Sequence, residues 1–215
     1  GLSMPAGESN PQSRADAEAV AKRFGIDLEV VSIREVVQSF FATEAKPNRV
    51  RVGNVAARVR MMRLFDWSHA HRALVVGTSN KTELLLGYGT WHGDLASSIN
   101  PIGDLYKAQI RQLADFIGVP QRVIEKPPSA DLWKGQTDEK EMGVTYETVD
   151  RLLYLMVDCN YSISALQRSG FSESMIRKVY KMIVSSQFKR SLPVIPKLSA
   201  KTIGLDFHLS RDWLT

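Results

Sequence analysis

The sequence predicts a layered α/β fold: a parallel sheet flanked by helices, with a helical C-terminal portion. Three observations predict it. Short apolar, β-branched runs alternate with helical periodicities, and no two runs are joined by a hairpin turn. The run "ALVVGT", residues 73–78, is continuously apolar until its last two residues, the mark of a strand covered on both faces. The final third carries helical spacing only.

Each element has its own signal. "GLSMP" reads as the end of a strand, and a segment upstream of it is expected. "NPQSRADAEAVAKRFG" is punctuated as a helix, with Asn10 as N-cap, Pro11 at the first position and Gly25 at the stop. Ala17, Val20, Ala21 and Phe24 share its apolar face. "IDLEVVSI" then reads as a short strand, and "REVVQSFF" returns to helical spacing. The polar "ATEAKPNRVRVG" reads as loop. After it, Asn54 is placed to cap a helix through "VAARVRMMRLFDWSHA", with Val55, Val59 and Met62 inward.

Beyond residues 73–78, "GYGTWHGDLASSINPIG" is glycine-rich and irregular. "DLYKAQIRQLADFIG" makes a helix closed by Gly118 and Pro120. "KPPSADLWKGQTDEKEMG" reads as a long polar loop outside the core. Helical segments at 146–157, 162–168 and 172–187 complete the chain, which is read as one domain over residues 1–215.

Composition narrows the function classes. The chain has 215 residues, 44% hydrophobic and 24% charged, enough for one substantial core. No apolar run reaches the length of a membrane span, and no signal-peptide pattern appears. The single cysteine, Cys159, excludes an internal disulfide and a cysteine metal cluster, and fits a reducing cytoplasm. A net charge of +5 suits an anionic small molecule as well as nucleic acid, and decides little.

In open α/β sheets, ligands bind beyond the carboxyl ends of strands. "VVGTSNKTE", residues 75–83, is such an end, and two readings of it stand side by side. In one, Asn80 and Glu83 form a capping box that satisfies free N–H groups at a helix start. In the other, Thr78 contacts a nucleotide phosphate and Glu83 is a magnesium ligand, since magnesium takes a carboxylate oxygen together with phosphate oxygens and water. A helix start also favours an anion.

The longer stretches "VVGTSNKTELLLGYGTWHGDLASSINPIGDLYK" and "EKPPSADLWKGQTDEKEMGVTYETVDRLL", with "GNVAARVRMM" and the closing "FKRSLPVIPKLSAKTIGLDFHLSRDW", resemble the ammonia-dependent NAD synthetases. The resemblance covers nearly the whole chain, and its motifs agree in order and spacing. It implies a Rossmann-like α/β fold of the adenine-nucleotide α-hydrolase type, a homodimer, and no nucleic-acid or membrane partner. It also implies a reaction: ATP-dependent amidation of deamido-NAD to NAD by ammonia, through an adenylate, with AMP and pyrophosphate released. Phosphoryl transfer of this kind rests on positioning and charge neutralisation, so no catalytic side-chain nucleophile is expected.

Position by position, the resemblance assigns Thr78, Lys107 and Ser129 to ATP, Arg58 and Lys189 to the dinucleotide, and Glu83 to Mg2+. Each has a plainer reading. Ser129 suits a turn after two prolines, and Arg58 suits a solvated helix face. Lys107 stands in the first turn of a helix, where a cation is mildly unfavourable, which argues for a functional reason.

Departures stand at Trp91, Ser98 and Phe188, where relatives carry lysine, aspartate and histidine. Trp91 offers a flat ring for stacking instead, and its neighbour His92 reads as a surface residue. The family's Ser-Gly-Gly-x-Asp-Ser pyrophosphate loop appears nowhere in the chain, and would belong upstream of "GLSMP". Two alternatives are carried forward. One is the synthetase portion of a glutamine-dependent enzyme. The other is a helix–turn–helix in "YSISALQRSGFSESMIRKVYKMI", with Gly170 in the turn and Arg177, Lys178 and Lys181 on the second helix. Against the latter, Met175, Ile176, Val179, Tyr180 and Ile183 are spaced to pack that helix on the core.

Overall fold

Residues 1–7, 10–133 and 135–207 are described by the structure, a computed structural model. Lys134 and the end of the closing motif, residues 208–213, lie outside the described residues. Strands β1 (Leu2–Ser3) and β2 (Glu29–Val30) pair in parallel, Leu2 opposite Glu29 and Ser3 opposite Val30. Between them runs helix α1 (Pro11–Phe24). The Asn10 side chain accepts the Gln12 N–H at 3.0 Å, and Gly25 ends the helix in the left-handed region at φ 64°. Both caps are the residues that the sequence points to. Of the expected inward face Ala21 is buried, but Phe24, in the last position before Gly25, is largely exposed.

Helix α2 (Arg34–Phe40) follows β2, which is far shorter than "IDLEVVSI" suggests. Helix α3 (Arg49–His71) corrects the expected start at Asn54. Asn48 is the N-cap, its side chain accepting the Val50 N–H at 2.8 Å, so one helix swallows half of the expected loop. Its buried residues are Gly53, Ala56, Ala57 and Val59, whereas Met62 is 56% exposed.

The expected strand at 73–78 is reduced to one parallel bridge, Val76 to Ile99. Among the described residues its backbone partners lie in the 97–100 segment; Val75 is buried while Val76 remains 58% exposed, not covered on both faces. Gly77 is needed here. A Cβ on it would stand 2.6 Å from the Ser97 hydroxyl oxygen, closer than real Cβ contacts allow.

The remaining elements are helical: α4 (Lys81–Leu86), α5 (Lys107–Phe116), α6 (Gln121–Glu125), α7 (Asp138–Met142), α8 (Tyr146–Leu153), α9 (Ile163–Arg168) and α10 (Glu173–Ser185). A π-helical turn, Tyr154–Asp158, continues α8, and a 3₁₀ turn spans Gln187–Arg190. The main core gathers Leu86, Met142, Tyr146, Val149, Leu152, Leu153, Leu166, Ile176 and Val179. Met142 overturns the expectation that "KPPSADLWKGQTDEKEMG" stays out of the core, because α7 turns it inward against α8. A smaller core joins Met4, Ile33, Val37, Ala56 and Val59.

In α10, Ile176 and Val179 are buried, with Met175 and Ile183 packed against that core. Tyr180 is the exception, at 61% exposed. Arg177 is paired with Glu173 on its own helix. The helix spends its apolar face on the core, as the packing reading requires. The fold is thus a helix-rich α/β fold with a small parallel sheet.

Candidate functional site

A cavity of about 860 Å³ opens between α3, the 75–79 segment, the start of α4, the glycine-rich loop at 87–96 and the 129–138 segment. Thr78, Glu83, Lys107, Ser129 and Lys189 all line it, although up to 111 residues separate them in sequence. Arg58 does not line it. That side chain is exposed on the outer side of α3, with Nη2 donating to the Trp91 carbonyl at 3.3 Å.

The capping-box reading of Asn80 and Glu83 is met, and it uses only one of the two carboxylate oxygens. Asn80 Oδ1 accepts the Glu83 N–H at 2.9 Å, and Glu83 Oε2 accepts the Asn80 N–H at 3.0 Å, which completes a capping box. Oε1 has a different set of neighbours: Lys107 Nζ at 3.7 Å and the Tyr146 hydroxyl at 3.4 Å. Burial pushes the Glu83 carboxyl above its usual range, with Asp138 adding to the effect, while Lys107 and the Asn80 N–H pull the other way.

Lys107 is the first residue of α5, where the helix dipole opposes a cation. Two contacts offset that cost: Glu83, and the face of the Tyr146 ring, 5.4 Å from Nζ. The helix start itself is held from below. Thr82, fully buried, donates to Asp150 Oδ1 at 2.5 Å and accepts the Lys107 N–H at 3.2 Å, while Asp150 Oδ2 accepts the Ala108 N–H at 2.8 Å. On the neighbouring side, Asp158 accepts from Lys81 Nζ at 2.7 Å and from the Tyr106 hydroxyl. The starts of α4 and α5 are therefore fixed against α8 and its π turn.

Lys189 donates to the carbonyls of Gly87 and Gly89, at 2.7 and 2.8 Å, which ties the 3₁₀ turn to the glycine-rich loop. Burial lowers its pKa, and Asp94 partly counters that. Ser129 Oγ accepts the Asp131 N–H at 3.0 Å, the turn role that its sequence context suggests, and the residue also lines the cavity.

Several lining residues escaped the sequence reading. Asp138 and Glu141 belong to "TDEKEMG", which reads as solvated acid. In the fold, Asp138 is buried, with Tyr146 Oη at 3.0 Å from Oδ2 and Tyr88 Oη at 3.0 Å from Oδ1. Tyr88 Oη also lies 2.7 Å from Glu141. Burial raises both phenol pKa values, so the hydroxyls stay protonated as donors. Arg190 was missed as well. Its guanidinium donates to the Leu84 and Leu85 carbonyls at 2.8 Å, capping the end of α4, a use of late-helix basic residues that the "FKR" tripeptide could have signalled. At the departures from the family pattern, Trp91 and Phe188 meet edge to face at 5.2 Å and Trp91 lies 4.2 Å from the His92 ring. Ser98 Oγ accepts the Val75 N–H at 3.3 Å.

Among the described residues, no group of three or more His, Cys, Asp or Glu is arranged to hold a metal ion by itself. That does not conflict with magnesium, which needs only one or two carboxylates when phosphates and water complete its shell. No helix is long and apolar enough to cross a membrane.

A family model described as NAD synthase matches residues 1–193. A relative from Trichlorobacter lovleyi, named NH(3)-dependent NAD(+) synthetase, is 52% identical over 212 residues, 99% of this chain and 78% of the relative. Among solved structures, NMN synthetase from Francisella tularensis is 33% identical with a TM-score of 0.79, the match covering 91% of this chain and 77% of that one. NH3-dependent NAD synthetase from Campylobacter jejuni, in complex with the nitrate ion, is 32% identical with a TM-score of 0.74, covering 91% and 76%.

Proposed function

The chain belongs to the NAD synthase family, and from that premise we propose that its cavity is where ATP activates the acid dinucleotide and ammonia amidates it. The chain is an ammonia-dependent NAD synthetase, an amide-forming ligase. One observation carries the placement: Thr78, Glu83, Lys107, Ser129 and Lys189, scattered in sequence, line one cavity at the start of α4 and α5.

The reaction has two displacements. A carboxylate oxygen of the nicotinate attacks the α-phosphorus of ATP; the bond to the bridging oxygen breaks, and its electron pair leaves with pyrophosphate. Ammonia nitrogen then attacks the acyl carbon, and AMP departs with the pair of the acyl–oxygen bond. One proton is lost from nitrogen. The protein's task is to hold polyanions in place and offset their charge. Lys107 supplies a cation from α5, and the Thr78 and Ser129 hydroxyls supply donors for phosphate oxygens. Lys189 spends two N–H bonds on Gly87 and Gly89, leaving its charge beside the loop for the dinucleotide. Arg58, exposed beside Trp91, would meet the dinucleotide from the rim, where the Trp91 and Phe188 rings offer a stacking surface in place of lysine and histidine.

Mg2+ is part of the proposal. Glu83 would hold it through Oε1, since Oε2 is taken by the capping box, and a hard carboxylate oxygen is the donor that magnesium prefers. When bound, the ion neutralises charge on the triphosphate. A homodimer and a cytoplasmic setting belong to the same reading. Exposed large apolar side chains such as Phe40 and Phe116 leave surface for a second copy to cover, and the lone Cys159 suits a reducing compartment.

The test is product analysis. Deamido-NAD, ATP and Mg2+ are supplied with ammonia or with glutamine, and the mononucleotide acid serves as comparison substrate. Expected are NAD, AMP and pyrophosphate in equal amounts with ammonia and the dinucleotide. ADP in place of AMP would refute the adenylate route. Turnover with glutamine alone would refute the choice of nitrogen donor.

A further inference from the structure

Arg60 is a cation in the cavity wall that the reaction as derived leaves unused. It stands on α3 two residues beyond Arg58 and, unlike Arg58, lines the cavity. Its Nε donates to the Met4 carbonyl at 3.1 Å, which anchors the guanidinium against the residue following β1. Among the described residues the two terminal nitrogens have no hydrogen-bond acceptor, and the side chain forms no ion pair. Asp94 and Asp131 act on it only at longer range, while burial, the largest influence, works against its charge.

A guanidinium does not shed its proton in a protein. Arg60 is therefore a partly buried, fixed positive charge with unused donors facing a cavity. Such a charge is costly to keep without a counter-ion. Its planar pair of terminal nitrogens matches two oxygens of a phosphate, a geometry that a lysine ammonium cannot reproduce.

We propose that Arg60 is a phosphate-binding residue of this site, its terminal nitrogens clasping two oxygens of one substrate phosphate. The proposal rests on the reading of the cavity as the synthetase site. ATP and the dinucleotide both carry phosphates, and the experiment separates them.

Steady-state kinetics of Arg60→Lys, with ATP and deamido-NAD varied in turn, are compared with the parent protein. The variant is expected to raise KM about tenfold or more for the substrate whose phosphate it clasps, and to leave KM for the other substrate and for ammonia within about twofold. Because losing the bond to Met4 could unfold the variant, the unmodified protein is tested as well. Phenylglyoxal labelling of Arg60, read by peptide mass mapping, is expected to be blocked by ATP or by the dinucleotide and not by adenosine. Unchanged KM values for both substrates, or labelling that neither phosphate compound blocks, overturns the assignment. A parent protein that forms no NAD would instead count against the functional reading, whereas an active parent with an indifferent Arg60 sinks this inference alone.

Discussion

Thr82→Val isolates the contact that holds the start of α5, and with it Lys107. The substitution keeps the side chain's shape and removes one hydroxyl. That hydroxyl donates to Asp150 at 2.5 Å and accepts the Lys107 N–H at 3.2 Å, all within a fully buried setting. Burial already pushes the Asp150 carboxyl up, and the Thr82 hydroxyl is the largest influence pulling it back. A hydrogen bond to a buried carboxylate is worth roughly 1.5–3 kcal/mol, and an orphaned helix-start N–H adds about 1. The sum is about 3 kcal/mol. For a chain of this length each kcal/mol moves Tm by about 2–4 °C, so Thr82→Val should melt about 6–12 °C below the parent. Thr82→Ser keeps the hydroxyl and loses one buried methyl, a cost of about 1 kcal/mol, or about 2–4 °C. Calorimetric melts of the three proteins decide the matter, with KM for ATP as the functional readout, expected to rise only in the valine variant. If valine melts within about 2 °C of the parent, or serine falls as far as valine, the hydroxyl does not hold the helix start.

The remaining predictions use the same logic. Glu83→Gln keeps an acceptor for the Asn80 N–H but has no charge. Since burial raises the Glu83 pKa in the folded state, the ionised group costs stability, and the native contribution is largest below about pH 4 and is lost as pH rises. The variant should therefore melt no lower than the parent at neutral pH, while turnover at limiting Mg2+ falls about tenfold or more; normal turnover there would remove the magnesium role. Lys107→Ala should raise KM for ATP about tenfold or more and shift the melting temperature little, because a lysine at a helix start adds little stability; an unchanged ATP dependence would defeat its assignment. Asp158 has its carboxyl held below the usual range, first by the Lys81 hydrogen bond and then by Tyr106. Its contribution is thus present above about pH 4 and lost as pH falls through the depressed value. Urea midpoints taken from pH 7 down to 3 should drop less steeply for Asp158→Asn than for the parent, and parallel curves would show that the pair is irrelevant to acid stability.

Local punctuation was the legible part of the fold. Asn10 and Gly25 act within a turn of where they stand, so capping chemistry alone locates α1. The strand at 73–78 was not legible, because whether an apolar run becomes a covered strand depends on neighbours far away in sequence. Here the 97–100 segment supplies a single bridge. Asp138 and Glu141 were hidden for a related reason. Acid-rich segments usually stay in water, and the hydroxyls of Tyr88, fifty residues away, and Tyr146 make burial of Asp138 tolerable. That Glu83 of α4 and Lys107 of α5 would face one cavity was readable, because a strand end, a capping pair and a phosphate-compatible lysine carry their chemistry in the motif itself.

Helix α3 marks the boundary between the two cases. The sequence placed Val55, Val59 and Met62 inward, one stripe of a helix whose repeat is 3.6 residues. In the fold Val55 and Val59 do pack on the smaller core, joined by Val52 and Ala56, and Met62 is the one that departs. Another stripe, Val50, Asn54, Ala57, Met61 and Leu64, faces the cavity, spaced alternately by four and three residues. That placement decides the fate of the two arginines in "RVR". Residues two apart on a helix point roughly 200° apart, so the two do not both line the cavity wall. Once Ala56 and Ala57 are buried, Arg58 falls on the outer stripe beside Met62, and Arg60 falls on the cavity margin. The family resemblance assigns Arg58 and passes over Arg60. The packing of four residues, Gly53, Ala56, Ala57 and Val59, is what separates them, and it places a guanidinium in the cavity two positions further along the motif than the family resemblance alone points to.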